Sequence, residues 1–89
     1  MTALCVPVEI ALRDMRVWRL SESIDVGAIR FAKEIPFDRG DRLRLRFRLP
    51  GGAAVKSDGD LVSANQIALD ADPTARQAIE RYLEEQTNP

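Results

Sequence analysis

The stretch Asp41–Gly52, DRLRLRFRLPGG, alternates Arg42, Arg44, Arg46 and Arg48 with Leu43, Leu45, Phe47 and Leu49. Successive side chains of a strand leave opposite faces of the sheet, so this order sends four arginines one way and four large apolar groups the other. The apolar row needs a core. Pro36–Gly40, PFDRG, delivers the chain into this strand, and PGG at Pro50–Gly52 ends it in a turn, which is the pattern of a hairpin. The arginine row reads in two ways. It is a solvated outer face paired across strands with carboxylates such as Glu9, Glu34 or Asp60, or it is a surface for an acidic partner or a phosphate.

The same period of two recurs on either side. Val6, Val8, Ile10 and Leu12 alternate with Pro7, Glu9 and Ala11, and because Pro7 donates no backbone hydrogen bond, it belongs at a sheet edge or at the first position of a strand. RDMR turns the chain into a strand over Val17–Ser21, and SESIDVG reads as a polar loop closed by Gly27. Ala28–Ile35 resumes the alternation with Ile29 and Phe31. After the arginine strand, AAVKSDGDLVSAN contains a further break at Asp58–Gly59, and QIALDA is a short strand with Ile67 and Leu69 on one face.

The period then changes. Asp72 suits a helix cap before Pro73 at the first helical position. Ala75, Ala78, Ile79, Tyr82 and Leu83 follow at helical spacing, predicting one amphipathic helix over about 73–86. Its apolar face is a core face; the alternatives are a partner stripe or a homodimer seam. Strands over about 5–71 followed by one terminal helix predict a mainly β chain: one domain over 1–89, built as a small six-stranded antiparallel barrel with a C-terminal helix.

Composition narrows the function. Lys and Arg number 13, Asp and Glu 14, histidine is absent and cysteine occurs once, for a net charge of −1. A nucleic-acid-binding barrel would carry more positive charge and more aromatic groups, so the composition argues against nucleic acid as the partner. Most of the cations nevertheless lie between Arg13 and Arg48, making the middle of the chain locally basic. Cys5 allows no internal disulfide, no metal site is expected, and its own reading is a small buried residue on a first strand. The sequence holds no apolar run of membrane-span length and no signal-peptide pattern, from which a cytoplasmic protein is expected. No catalytic residues are expected, and the chain is read as non-enzymatic.

Taken in order, VWRLSESIDVGAIRFAKEIPFDRGDRLRLRFRLPGG, DGDLVSAN and ADPTARQAIERYLEEQ resemble the PilZ family of bacterial six-stranded barrels that sense cyclic di-GMP. In that family an RxxxR pair on a flexible N-terminal segment and a [DN]xSxxG loop hold the nucleotide. This chain has neither in standard form. Ser23 is followed by three residues before Gly27, Ser21 stands at the acidic or amide position, and the only RxxxR spacings, Arg42 with Arg46 and Arg44 with Arg48, fall inside the alternating strand.

The resemblance therefore implies a regulatory or adaptor protein of cyclic di-GMP-linked or surface-motility signalling. It would act through a protein partner, with Trp18, Arg42, Arg44, Arg46 and Arg48 as candidate contact residues and without a bound cofactor. The alternative is a direct cyclic di-GMP receptor using Ser21, Ser23, Asp25 and Gly27 together with Arg13, Arg16 or Arg19. Trp18 itself reads either as core or, between Arg16 and Arg19, as an exposed anchor.

Overall fold

In the computed structural model, which describes residues 1–87, the chain forms seven strands and one helix. These are β1 (Thr2–Ala3), β2 (Pro7–Leu12), β3 (Met15–Asp25), β4 (Ala28–Phe31), β5 (Arg42–Arg48), β6 (Ala54–Ser63), β7 (Gln66–Asp70) and α1 (Pro73–Thr87). Neighbouring strands run in the order β3, β2, β5, β6, β7, β4, and β4 pairs back onto β3 to close a six-stranded antiparallel barrel, with β1 added beside β3. This is the barrel-plus-helix architecture expected from the sequence. Among the described residues no helix is long and apolar enough to cross a membrane.

Strand β5 behaves as its alternation demands. Leu43, Leu45, Phe47 and Leu49 are buried while Arg42, Arg44, Arg46 and Arg48 face out. Its connection to β6 needs left-handed backbone at Gly51 and Gly52, with φ of 99° and 104°, a conformation that side chains with a Cβ disfavour. Val8, Ile10, Ile24, Ile29, Phe31, Val55, Leu61 and Ile67 complete the barrel interior.

The helix closes the core. The Asp72 carboxylate accepts from the Ala75 N–H at 2.8 Å, capping α1 as its sequence suggested. Ala75, Ile79 and Tyr82 join the interior cluster, with Ala78 and Leu83 packed partly against it. This is the core-face reading of the helix. The Tyr82 hydroxyl donates to the Ala3 carbonyl at 3.1 Å, which fastens the helix to β1.

Four expectations are corrected. SESIDVG is not a loop, because its first five residues extend β3 and pair with β4, and only Val26 and Gly27 turn the chain. Glu22 has no partner in that ladder, since the register passes from Ser21 opposite Phe31 to Ser23 opposite Arg30, so the polar run is absorbed as a β-bulge. Asp58–Gly59 is not a break either. It lies inside the continuous strand β6, where Gly59 is buried between Leu43 and Leu69 in the two ladders. Cys5 is exposed, because it falls in the connection between β1 and β2 and not on a strand face turned inward. The two-residue strand β1 lies upstream of the expected first strand.

The β2–β3 turn is strained. Arg13 has φ of 54°, in the left-handed region that costs a side-chain-bearing residue roughly 1–2 kcal/mol. Replacing it by glycine relieves that cost but frees the unfolded chain by about 0.4–1 kcal/mol. Arg13→Gly is therefore expected to raise the unfolding free energy by about 0.5 kcal/mol, read as a higher denaturant midpoint at unchanged slope.

Candidate functional site

The outward face of β3, β2, β5 and β6 is laid out by register. One row runs Trp18, Glu9, Arg46, Lys56, and the next runs Arg16, Ala11, Arg44, Asp58. Trp18 is 58% exposed and Leu20, two residues along on the same face, is 55% exposed. Of the two readings of Trp18, the structure takes the exposed one. It sits on the outer side because Val17 and Arg19, opposite buried Ile10 and Val8, hold the inward positions.

The arginine row divides. Arg42 donates to Asp70 at 2.6 Å and to Asp60 at 3.3 Å, and the Asp70 hydrogen bond, with Asp60 in support, holds its guanidinium above its ordinary pKa. Arg48 donates to the Gly52 carbonyl at 2.6 Å within its own hairpin. The side chains of Arg16, Arg44, Arg46 and Lys56 enter no hydrogen bond or ion pair among the described residues. The expected pairing with carboxylates is thus met at Arg42 with Asp60. It is absent between Arg46 and Glu9, although the two stand opposite in the ladder, and Glu34 meets none of the row.

Arg46 also stands directly opposite Lys56, a like-charge cross-strand pair that works against the sheet. Arg16, Arg44, Arg46 and Lys56 line one groove of about 430 Å³ whose walls also carry Glu9, Asp58, Asp70 and Asp72, with Asp70 held by Arg42 and Asp72 by the helix cap. Four cations without internal partners, beside an exposed tryptophan, form a face suited to carboxylates and apolar groups from outside. Lys56 and Leu20 did not stand out in the sequence. Leu20 shares the Trp18 face at a spacing of two, a legible signal, whereas the place of Lys56 depends on the β5–β6 register.

The candidate nucleotide residues are dispersed. Ser21 is 2% exposed; its hydroxyl accepts from the Val6 N–H at 3.0 Å and donates to the Leu4 carbonyl, latching the chain between β1 and β2 onto β3. Ser23 is half-buried with its hydroxyl 3.7 Å from the Met1 sulfur. The Asp25 carboxylate accepts from the Val26 N–H at 2.7 Å, and the Gly27 carbonyl accepts from the Leu69 N–H at 2.9 Å.

Arg13 lies beyond the other end of β3 from Asp25, separated by a strand that rises roughly 30 Å along its length. Arg16 and Arg19 are three apart on a strand and so leave opposite faces. Arg19 is occupied locally, donating to the Trp18 carbonyl at 3.0 Å and to the Glu34 carbonyl at 3.4 Å. These arginines do not converge on Ser21–Gly27.

Among solved structures, the chain is similar to the Bacillus subtilis inhibitor of motility, MotI/DgrA. The match has 21% identity and a TM-score of 0.75, and it covers 98% of this chain and 49% of that one. The two share a fold. The chain spans about half the length of MotI/DgrA, and at this identity the likeness concerns architecture alone. No protein-family model matches the chain, and no curated protein matches it.

Proposed function

We propose that the chain is a non-enzymatic regulatory adaptor of PilZ type, working in cyclic di-GMP-linked or motility control by docking on an acidic protein without holding a nucleotide. The observation that carries this reading is the 58% exposed Trp18 beside a groove of unpaired Arg16, Arg44, Arg46 and Lys56. A tryptophan gives an interface its largest apolar anchor, and desolvated guanidinium groups give it orientation toward carboxylates. The name of the structural neighbour, an inhibitor of motility, supports the choice of pathway. The dispersal of Arg13, Arg16 and Arg19 from Ser21–Gly27 supports the absence of a nucleotide clamp, which needs its arginines on one site.

The test is swimming in soft agar by the cell that encodes the chain. Deletion is expected to change the swim diameter, and Trp18→Ala or the double change Arg44→Glu with Arg46→Glu is expected to match deletion while the purified variants keep their melting temperatures. Folded variants that swim like the parent would overturn the proposed docking face. Calorimetric titration with cyclic di-GMP should give no heat of binding. Saturable heat that disappears in Ser23→Ala would replace this reading with direct nucleotide sensing.

A further inference from the structure

Strand β3 is paired on both sides only over part of its length. β4 covers it from Ser21 to Asp25, while from Met15 to Leu20 its one ladder partner is β2. In the two-residue turn at Arg13–Asp14, Leu12 and Met15 form the closing hydrogen-bonded pair, so Met15, Val17 and Arg19 bond to β2. Arg16, Trp18 and Leu20 consequently aim their backbone groups away from the barrel sheet. Two of these groups are covered: the Leu20 carbonyl accepts from the Ala32 N–H at 3.4 Å, and the Trp18 carbonyl from the Arg19 side chain at 3.0 Å. The N–H groups of Arg16 and Trp18 and the Arg16 carbonyl have no partner among the described residues.

Beyond this edge the chain leaving β4 diverges. Between the two lies a cleft of about 650 Å³ lined by Trp18, Arg19, Leu20, Ala32, Lys33 and Glu34. An unpaired edge with exposed apolar side chains is a template for another strand, and soluble barrels normally close it, shorten it or protect it with charge.

We propose that the edge Met15–Leu20 is a strand-addition site that captures an extended acidic segment of the partner protein. This deepens the adaptor reading and rests on it. The added strand would pair antiparallel with β3, donating and accepting at Arg16 and accepting from the Trp18 N–H, whose own carbonyl the Arg19 side chain holds. It places an apolar side chain against Trp18 and Leu20 and a carboxylate opposite Arg16 and opposite Arg19.

Charge selects this occupant. Arg13, Arg16, Arg19 and Lys33 lie along or beside the edge against Asp14 and Glu34. Two copies of the chain paired through the same edge would gather Arg16 and Arg19 of both in one short ladder, whereas an acidic strand neutralises them.

Trp18 is the single tryptophan and reports directly on the edge. The purified chain is titrated with a capped seven-residue peptide, Thr-Val-Glu-Val-Thr-Glu-Thr, whose antiparallel register sets its valines against Trp18 and Leu20 and its glutamates against Arg16 and Arg19, with the version carrying lysine for glutamate and with a glutamate version N-methylated at the residues facing Arg16 and Trp18. The expected result is a saturable blue shift with the glutamate peptide and at least tenfold weaker binding of the other two. Arg16→Pro removes an edge N–H that no native ladder uses, so it should fold and bind at least tenfold more weakly than Arg16→Ala, which keeps that N–H. If Arg16→Pro does not fold, the N-methylated peptide against the parent chain decides alone.

Equal binding of the N-methylated peptide, tighter binding of the lysine peptide, or no saturable shift at millimolar concentration overturns the proposal. A concentration-dependent dimer in sedimentation, abolished by Arg16→Pro, assigns the edge to a second copy and also overturns it. Failure here with Trp18→Ala still mimicking deletion in the swimming assay removes strand addition and leaves the docking face standing. Failure of both removes the adaptor reading.

Discussion

Gly59→Ala is expected to lower the unfolding free energy by about 3 kcal/mol, at the upper end of what one added methyl costs in a packed interior. A Cβ built at Gly59 would stand 2.6 Å from the Ile67 Cγ2 and 2.7 Å from the Ala68 carbonyl oxygen. Neither neighbour can yield cheaply. Ile67 is fully buried in the core, and the Ala68 oxygen belongs to the β7 backbone, whose retreat would part the β6–β7 ladder next to the Gly59–Leu69 pair. For a domain of this size, stability is on the order of 4–13 kcal/mol and each kcal/mol moves the melting temperature by roughly 4–8 °C. A drop of about 15 °C is therefore expected in thermal unfolding followed by circular dichroism. A drop under 3 °C would show that β6 and β7 separate at that point more easily than the register implies.

Ser21→Ala is expected to cost about 2 kcal/mol in a denaturant titration, while Ser23→Ala stays within about 0.5 kcal/mol. The Ser21 hydroxyl serves the Val6 N–H and the Leu4 carbonyl at once, and its removal strands polar groups in a buried place, with a penalty of about 1–3 kcal/mol. Ser23 meets only the Met1 sulfur, on an exposed contact, where substitutions change stability little. Equal effects would contradict the latch. The contrast also separates two serines that look alike in a motif: one fastens the N-terminal crossing to the barrel, and the other stands beside the bulge, where β1 and β4 flank the same strand.

The legibility of the fold followed the strength of each local pattern. The arginine and leucine alternation of β5 allowed only a half-buried strand, and Asp72–Pro73 before a helical apolar period allowed only a helix start, and both stand in the structure. SESIDVG and Asp58–Gly59 were misleading for a shared reason. Serine, aspartate and glycine are turn formers by local preference, but here tertiary pairing overrides it: β4 recruits Ser21–Asp25 into a ladder, and β7 passes so close to β6 that only a glycine fits at position 59.

The site was legible in part. The outward arginines could be read from alternation, and the spacing of Trp18 and Leu20 puts them on one face. The sorting of the arginines into paired Arg42, locally bonded Arg48 and free Arg44 and Arg46 could not, because it depends on which residues β6 and β7 bring alongside. The open length of β3 was equally hidden, since a sequence shows where a strand runs and not where its neighbour stops.

The hydrogen bond from Tyr82 to Ala3 spans 79 positions of sequence and makes the chain nearly circular in space. Closing so long a loop costs little more entropy than closing one half its length, because that cost grows only with the logarithm of loop size. The arrangement gives the barrel a single seam at which chain enters and leaves. Domains with neighbouring ends tolerate being set into longer polypeptides or having their order permuted, and the Tyr82–Ala3 contact brings α1 and β1 together in that way.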